Sequence, residues 1–214
     1  MTLPSSVKDR VLEAVRARPS PRRTEPRLTG WAAAALAALS LAGVLFLWGG
    51  PSNAVGRPPE VGEWVVVGMV ALAVTATWLA LPSRRAMLPP PASRLLGVAL
   101  GVPLVVAAWL LAWHATYDDP FTRFGWRCFA LTAASAPWPF AALLRLAPRF
   151  VPSRPWLLGG ALGAVAGSWA AVVVEAWCPL AGPAHLAVGH VLPLVLLVAA
   201  GALLGQRLLR RRLA

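Results

Sequence analysis

Pro155-Trp156-Leu157-Leu158-Gly159-Gly160-Ala161-Leu162-Gly163-Ala164-Val165-Ala166-Gly167, continuing apolar to Val174 and closing with Glu175-Ala176-Trp177-Cys178-Pro179, is the stretch whose reading decides the fold. Gly159, Gly163 and Gly167 recur every fourth residue, and Ala171 follows at the same interval. On a helix these positions form one smooth ridge along which a neighbouring backbone can approach closely. The run is long enough to cross a hydrocarbon layer of about 30 Å at roughly 20 residues per crossing. Its far end carries an acid, a thiol and a helix-ending proline. A tightly packed membrane helix of this kind delivers Glu175 and Cys178 to one surface.

The rest of the chain has the same character. Of 214 residues, 58% are hydrophobic and only 13% are charged, and the mean hydropathy is +0.65. That is more apolar sequence than one soluble core can bury. Apolar segments fall at about 31–49, 62–81, 95–113, 128–144, 156–177 and 186–205. Each is near the length of a membrane helix. Hydrocarbon forces the backbone to satisfy its own hydrogen bonds, so these segments should be helices. The short alternating segments of a β-barrel are lacking. The expected fold is an all-α bundle of six transmembrane helices over 31–205, with a tail at 1–30 and a basic C-terminal tail at 206–214.

The charge distribution sets the expected orientation. A net charge of +12 could suggest nucleic-acid binding, but the basic residues are sorted by segment. Seventeen lie in the N-terminal tail (Lys8, Arg10, Arg16, Arg18, Arg22, Arg23, Arg27), the second loop (Arg84, Arg85, Arg94), the fourth loop (Arg145, Arg149, Arg154) and the C-terminal tail (Arg207, Arg210, Arg211, Arg212). Only Arg57, Arg123 and Arg127 fall on the other side. The positive-inside rule then places both termini in the cytoplasm. The surplus is read as a topology signal, and no direct nucleic-acid binding is expected. The first apolar run follows about 30 polar, basic residues, too long a leader for the usual cleavable signal, so it reads as the first membrane helix.

Within the tail, Ser6 and Asp9 have capping-box spacing. Val7, Val11 and Val15 recur every four residues with Leu12 alongside, and Pro19 and Pro21 end the pattern. A short amphipathic helix over about 6–18 is expected, too short to be stable alone in water. It can lie on anionic lipid or dock into a groove on a soluble partner. In the fourth apolar segment, Pro137-Trp138-Pro139 removes two backbone donors and should kink or break the helix.

The chemistry-bearing side chains gather on the outer side. They are His114, Tyr117, Asp118 and Asp119, then Cys128, Glu175, Cys178, His185 and His190. Antiparallel fourth and fifth segments would bring Cys128 and Cys178 to similar depth. A disulfide or redox-responsive pair, metal-ligating thiols and unpaired packing cysteines are all compatible with that placement. No metal site is assigned. His185, His190 and Glu175 are the nearest candidates, but two histidines five apart on an α-helix point well away from each other. Glu175 reads as a residue that snorkels to water or pairs with Arg127. No catalytic nucleophile–base pair, phosphate loop or cofactor motif is present, so neither an enzyme nor a cofactor is expected.

Arg127-Cys128, the glycine ridge from Gly159 to Gly167 and Cys178-Pro179 resemble the six-span bacterial membrane anti-sigma factors of the NrsF type. The resemblance implies a protein of the inner membrane that sequesters an extracytoplasmic-function sigma factor and releases it on an envelope, redox or metal stress signal. It also implies that Val7, Val11, Leu12 and Val15 form the sigma-docking face and that Cys128 and Cys178 are the sensor pair. The residues alone leave a second reading open, a small multi-pass transporter or metal-handling membrane protein using the broken fourth segment. A third is a membrane enzyme working through the cysteine pair. Oligomeric state is not fixed by the sequence.

Overall fold

The computed structural model describes residues 58–81, 90–114, 125–146, 154–178 and 182–210, together with Asp9 and Glu13. The first apolar segment, the loops and most of the N-terminal tail, including Val7, Val11, Leu12 and Val15, lie outside the described residues. Among the described residues every regular element is helical.

In chain order these elements are α1 (Pro59–Ala80), α2 (Ala92–His114), α3 (Trp126–Ser135), α4 (Pro137–Leu146), α5 (Pro155–Trp177), α6 (Pro183–Leu186), a π-helical turn (Ala187–Val191) and α7 (Leu192–Arg210). Pro59, Pro155 and Pro183 each occupy a first-turn position, where the missing N–H has no intrahelical partner to lose. Among the described residues, four stretches are long and apolar enough to cross a membrane: Pro59–Ala80, Ala92–Trp113, Pro155–Trp177 and Pro183–Leu208. Their outward faces carry Trp64, Val67, Val74 and Trp78 on α1 and Leu96, Leu100 and Leu104 on α2, all exposed. So much contiguous exposed apolar surface suits lipid rather than water.

The bundle is built around α5. In the apolar window of α5, 94% of residues are buried, against 28–39% in the other three spans. α1, α2, α3, α4 and α7 all pack against it. Its closest neighbour is α7, which runs antiparallel to it. A Cβ added at Gly159 would collide with the carbonyl of Gly201 and lie 2.7 Å from Cα of Gly205, and one at Gly163 would collide with the carbonyl of Leu197. Conversely, a Cβ at Gly205 would stand 2.6 Å from the carbonyl oxygen of Pro155. Backbone therefore lies on backbone at this crossing, which only paired glycines allow. At Gly167 the neighbours are the side chains of Leu194 and Leu197, and the seam becomes ordinary side-chain packing. On the opposite flank, Trp169 Nε1–H of α5 donates to Thr77 Oγ1 of α1 at 3.0 Å. Arg94 caps the end of α1 by donating to the Trp78 carbonyl at 2.6 Å.

The Pro-Trp-Pro run interrupts the fourth apolar segment as its chemistry demands. α3 and α4 meet at Ala136, whose backbone stays helical (φ −65°, ψ −32°). The Ala136 and Phe140 amides still bond Thr132 and Ala136, while Pro137 and Pro139 have no amide to give. The expected helix over 128–144 is therefore two ten-residue helices end to end. The last segment is also divided. Pro193 cannot bond the Gly189 carbonyl four residues back, and its ring crowds that carbonyl. The turn before it opens into a π-helix, with the Leu192 amide bonding the Ala187 carbonyl instead.

Candidate functional site

Three elements converge where α5 ends. Cys178 is the first residue beyond α5, and its amide still bonds the Val174 carbonyl at 2.7 Å. Cys128 sits in the first turn of α3. His185 lies in α6, and His190 lies in the π-helical turn. A second close glycine contact brings these pieces together. Cβ atoms at Gly125 or Gly189 would each run into the other's backbone, and Gly189 also lies against Cys128. With both positions bare, the head of α3 rests directly on the π-helical turn.

The resulting cluster is compact and buried. One ligand-type atom from each of Cys128, Cys178, His185 and His190 lies within 4.8 Å of the others. Nε2 of His185 is 3.5 Å from the Cys128 sulfur and 3.2 Å from the Cys178 sulfur. The two imidazole centroids are 5.3 Å apart. His190 Nδ1 bonds Glu175 Oε1, and both side chains are at most 2% exposed. With Nδ1 bonded to the carboxylate, Nε2 is the ring nitrogen left for a further interaction. That Nε2 is buried near the Cys178 sulfur and makes no hydrogen bond of normal geometry among the described residues. Both cysteines are free thiols. The Cys178 thiol, just past the end of its span, is pushed up to about 11. Its hydrogen bond with Cys128 contributes most and burial adds to it, against a downward pull from His185 and His190.

Two sequence expectations need correction here. His185 and His190 do not point apart. An α-helix would turn residues five apart by about 140°, whereas the wider π-helical turn with i→i+5 bonding brings them back toward one face, with ring centroids 5.3 Å apart. Glu175 does not snorkel to water but is buried against His190. Cys128 and Cys178 do come together, with His185 Nε2 reaching both sulfurs. His114, Tyr117, Asp118 and Asp119 cannot be placed in the site, because their side chains lie outside the described residues. Sequence reasoning missed Gly125 and Gly189, and also Gly201 and Gly205, whose Gly-x-x-x-Gly spacing on the last segment was available as a signal.

Residues 14–210 match the family described as Negative regulator of sigma F, NrsF. The chain belongs to the NrsF family. A relative from Azospira oryzae, described as Probable anti-sigma-F factor NrsF, is 34% identical over 155 residues, covering 69% of this chain and 71% of the relative. No solved structure matches. The NrsF match takes in all seven helices of the described residues and every residue of the Cys–His cluster. The family is one of regulators that act on a sigma factor, not a class of enzymes.

Relative to the bundle, the cluster has a definite place. α5 rises about 34 Å over its 23 residues, with Arg154 before its first turn and Cys178 after its last. α7 runs back from the cluster to Arg207. Arg154 and Arg207 thus mark one end of the α5–α7 pair, and the thiols and imidazoles mark the other.

Proposed function

We propose that this chain is an anti-sigma factor of the bacterial inner membrane, with six helices over 31–205 and both termini cytoplasmic. Its tail, 1–30, holds an extracytoplasmic-function sigma factor and releases it on an envelope, redox or metal stress signal. The observation that carries the regulatory reading is the family match along residues 14–210. Support for sensing comes from the burial of two thiols and two histidines at the end of the bundle remote from Arg154 and Arg207.

In this reading the sigma factor docks on Val7, Val11, Leu12 and Val15. Burying such side chains contributes at most about 1.5–3 kcal/mol each, so the cytoplasmic loops also contribute to the hold. Cys128 and Cys178 form the sensor. Two thiols brought together can yield a disulfide, two protons and two electrons, the electrons passing to the oxidant that constitutes the stress. The scheme includes no catalytic step.

The test is co-purification of sigma factors with the full-length protein and with residues 1–20 deleted. A sigma factor retained by the first and lost from the second is the expected result. If the full-length protein retains none under any condition, the reading is wrong. A sigma-dependent reporter then isolates the sensor: Cys128→Ser and Cys178→Ser should blunt induction, and a normal response in either would remove the thiols from that role.

A further inference from the structure

We propose that Cys128, Cys178, His185 and His190 form a tetrahedral site for a zinc-class cation, with Glu175 orienting the His190 ring.

The argument begins with distances. Zinc–sulfur bonds of about 2.3 Å and zinc–nitrogen bonds of about 2.0 Å set ligand-to-ligand edges of about 3.3–3.8 Å in a tetrahedron. The two sulfur–nitrogen edges measured from His185 Nε2 are 3.5 and 3.2 Å, and all four donor atoms lie within 4.8 Å of one another. Packing alone gives no reason for two thiols and two imidazoles to converge on one point in a buried region. Two thiols and two neutral imidazoles are also a donor set that selects zinc over oxygen-loving cations such as magnesium or calcium.

The second line of argument is the state of His190. Its Nδ1 is fixed by Glu175, and its Nε2 is buried near the Cys178 sulfur with no hydrogen bond of normal geometry among the described residues. An unpaired buried polar atom is costly, and a metal on Nε2 would supply the missing interaction. A carboxylate behind a metal-bound imidazole is the usual arrangement for fixing the ring and raising its basicity. Two thiolates neutralise the divalent ion, and the one remaining charge, on the Glu175 carboxylate, is held by the Nδ1–H of His190. Binding would release the two thiol protons to solvent.

The ligands come from separate elements. Cys128 is on α3, Cys178 ends α5, and the histidines belong to α6 and the π-helical turn. The site would therefore tie three parts of the bundle to one ion. It does not depend on sigma binding and can fail or stand by itself.

The test uses the full-length protein purified in detergent under reducing conditions. Zinc content is measured by mass spectrometry, and affinity by competition with a chromophoric chelator. Cobalt(II) serves as the spectroscopic probe. The expected result is one zinc per chain, a visible absorption pattern of tetrahedral cobalt and a near-ultraviolet thiolate-to-cobalt band. Cys128→Ser with Cys178→Ser should abolish the thiolate band. Glu175→Gln, which retains all four ligands, should weaken zinc affinity 10–100-fold and leave the cobalt geometry tetrahedral. Size-exclusion profiles and helical circular dichroism establish that each variant is folded. Octahedral cobalt, less than one-tenth of an equivalent of zinc in the folded wild-type chain, or unchanged affinity in the double serine variant would each overturn the proposal.

Discussion

Gly159→Ala adds a single methyl group to the protein, and the structure sets its cost. The new Cβ would stand 2.7 Å from Cα of Gly205 and closer still to the Gly201 carbonyl. Carbon–carbon contacts settle at about 3.5–4.0 Å, so α5 and α7 must part by about 1 Å locally. No side chain at the crossing can rotate away, because both obstacles are backbone. Overpacking of this kind costs about 1–3 kcal/mol. At about 2–4 °C per kcal/mol for a chain of this size, the melting temperature should fall by roughly 2–12 °C. The matched control is Gly97→Ala on α2, where an added Cβ meets nothing within 4 Å among the described residues. Replacing a helical glycine by alanine there should stabilise by about 0.5–1 kcal/mol, since glycine loses more backbone freedom on folding. Thermal unfolding of both variants in the same detergent makes the comparison. Equal melting temperatures, or a Gly159→Ala protein more stable than Gly97→Ala, would refute a backbone-on-backbone seam between α5 and α7.

Two further outcomes test the parts around that seam. Thr77→Val keeps shape but leaves the Trp169 indole N–H without its acceptor; unfolding should show a loss of about 1–3 kcal/mol, and Thr77→Ser should restore most of it. Pro193→Ala returns the amide that Gly189 lacks, so the turn at 187–191 should close to α-helical geometry and swing His190 away from His185. Chelator competition should then show zinc affinity reduced at least about tenfold, or 1.4 kcal/mol, while the melting temperature of the metal-free protein holds or rises.

Much of the fold is legible because hydrophobic length and proline position act locally. The spans at 62–81, 95–113 and 156–177 correspond to α1, α2 and α5 with ends moved by a few residues. Pro137 and Pro139 break the fourth segment where they must. The site was less legible because its assembly depends on a departure from regular geometry. A periodicity of 3.6 residues separates His185 from His190, and only the π-helical turn ahead of Pro193 reverses that. Glu175 looked like a helix-end residue reaching for water because its partner is fifteen residues away on another element. The glycines of the fifth segment announced a close neighbour, but a ridge does not name what lies on it. Gly201 and Gly205 become meaningful only once α7 is seen to run antiparallel.

The seam between α5 and α7 also limits how the two ends of the bundle can communicate. Its tightest stretch runs from Gly159 to Gly163, about 22–28 Å along the helix from Cys178 but only about 7–14 Å from Arg154. A helix clamped there behaves as a lever with a long arm toward the thiols and a short one toward the arginines. Tilting the thiol end by about 1 Å about the middle of that stretch would shift the arginine end by less than about half as much. Scissoring is therefore a poor messenger in this architecture. Sliding of α7 along its axis passes undiminished from end to end, within the small range that keeps Gly201 and Gly205 opposite Gly159.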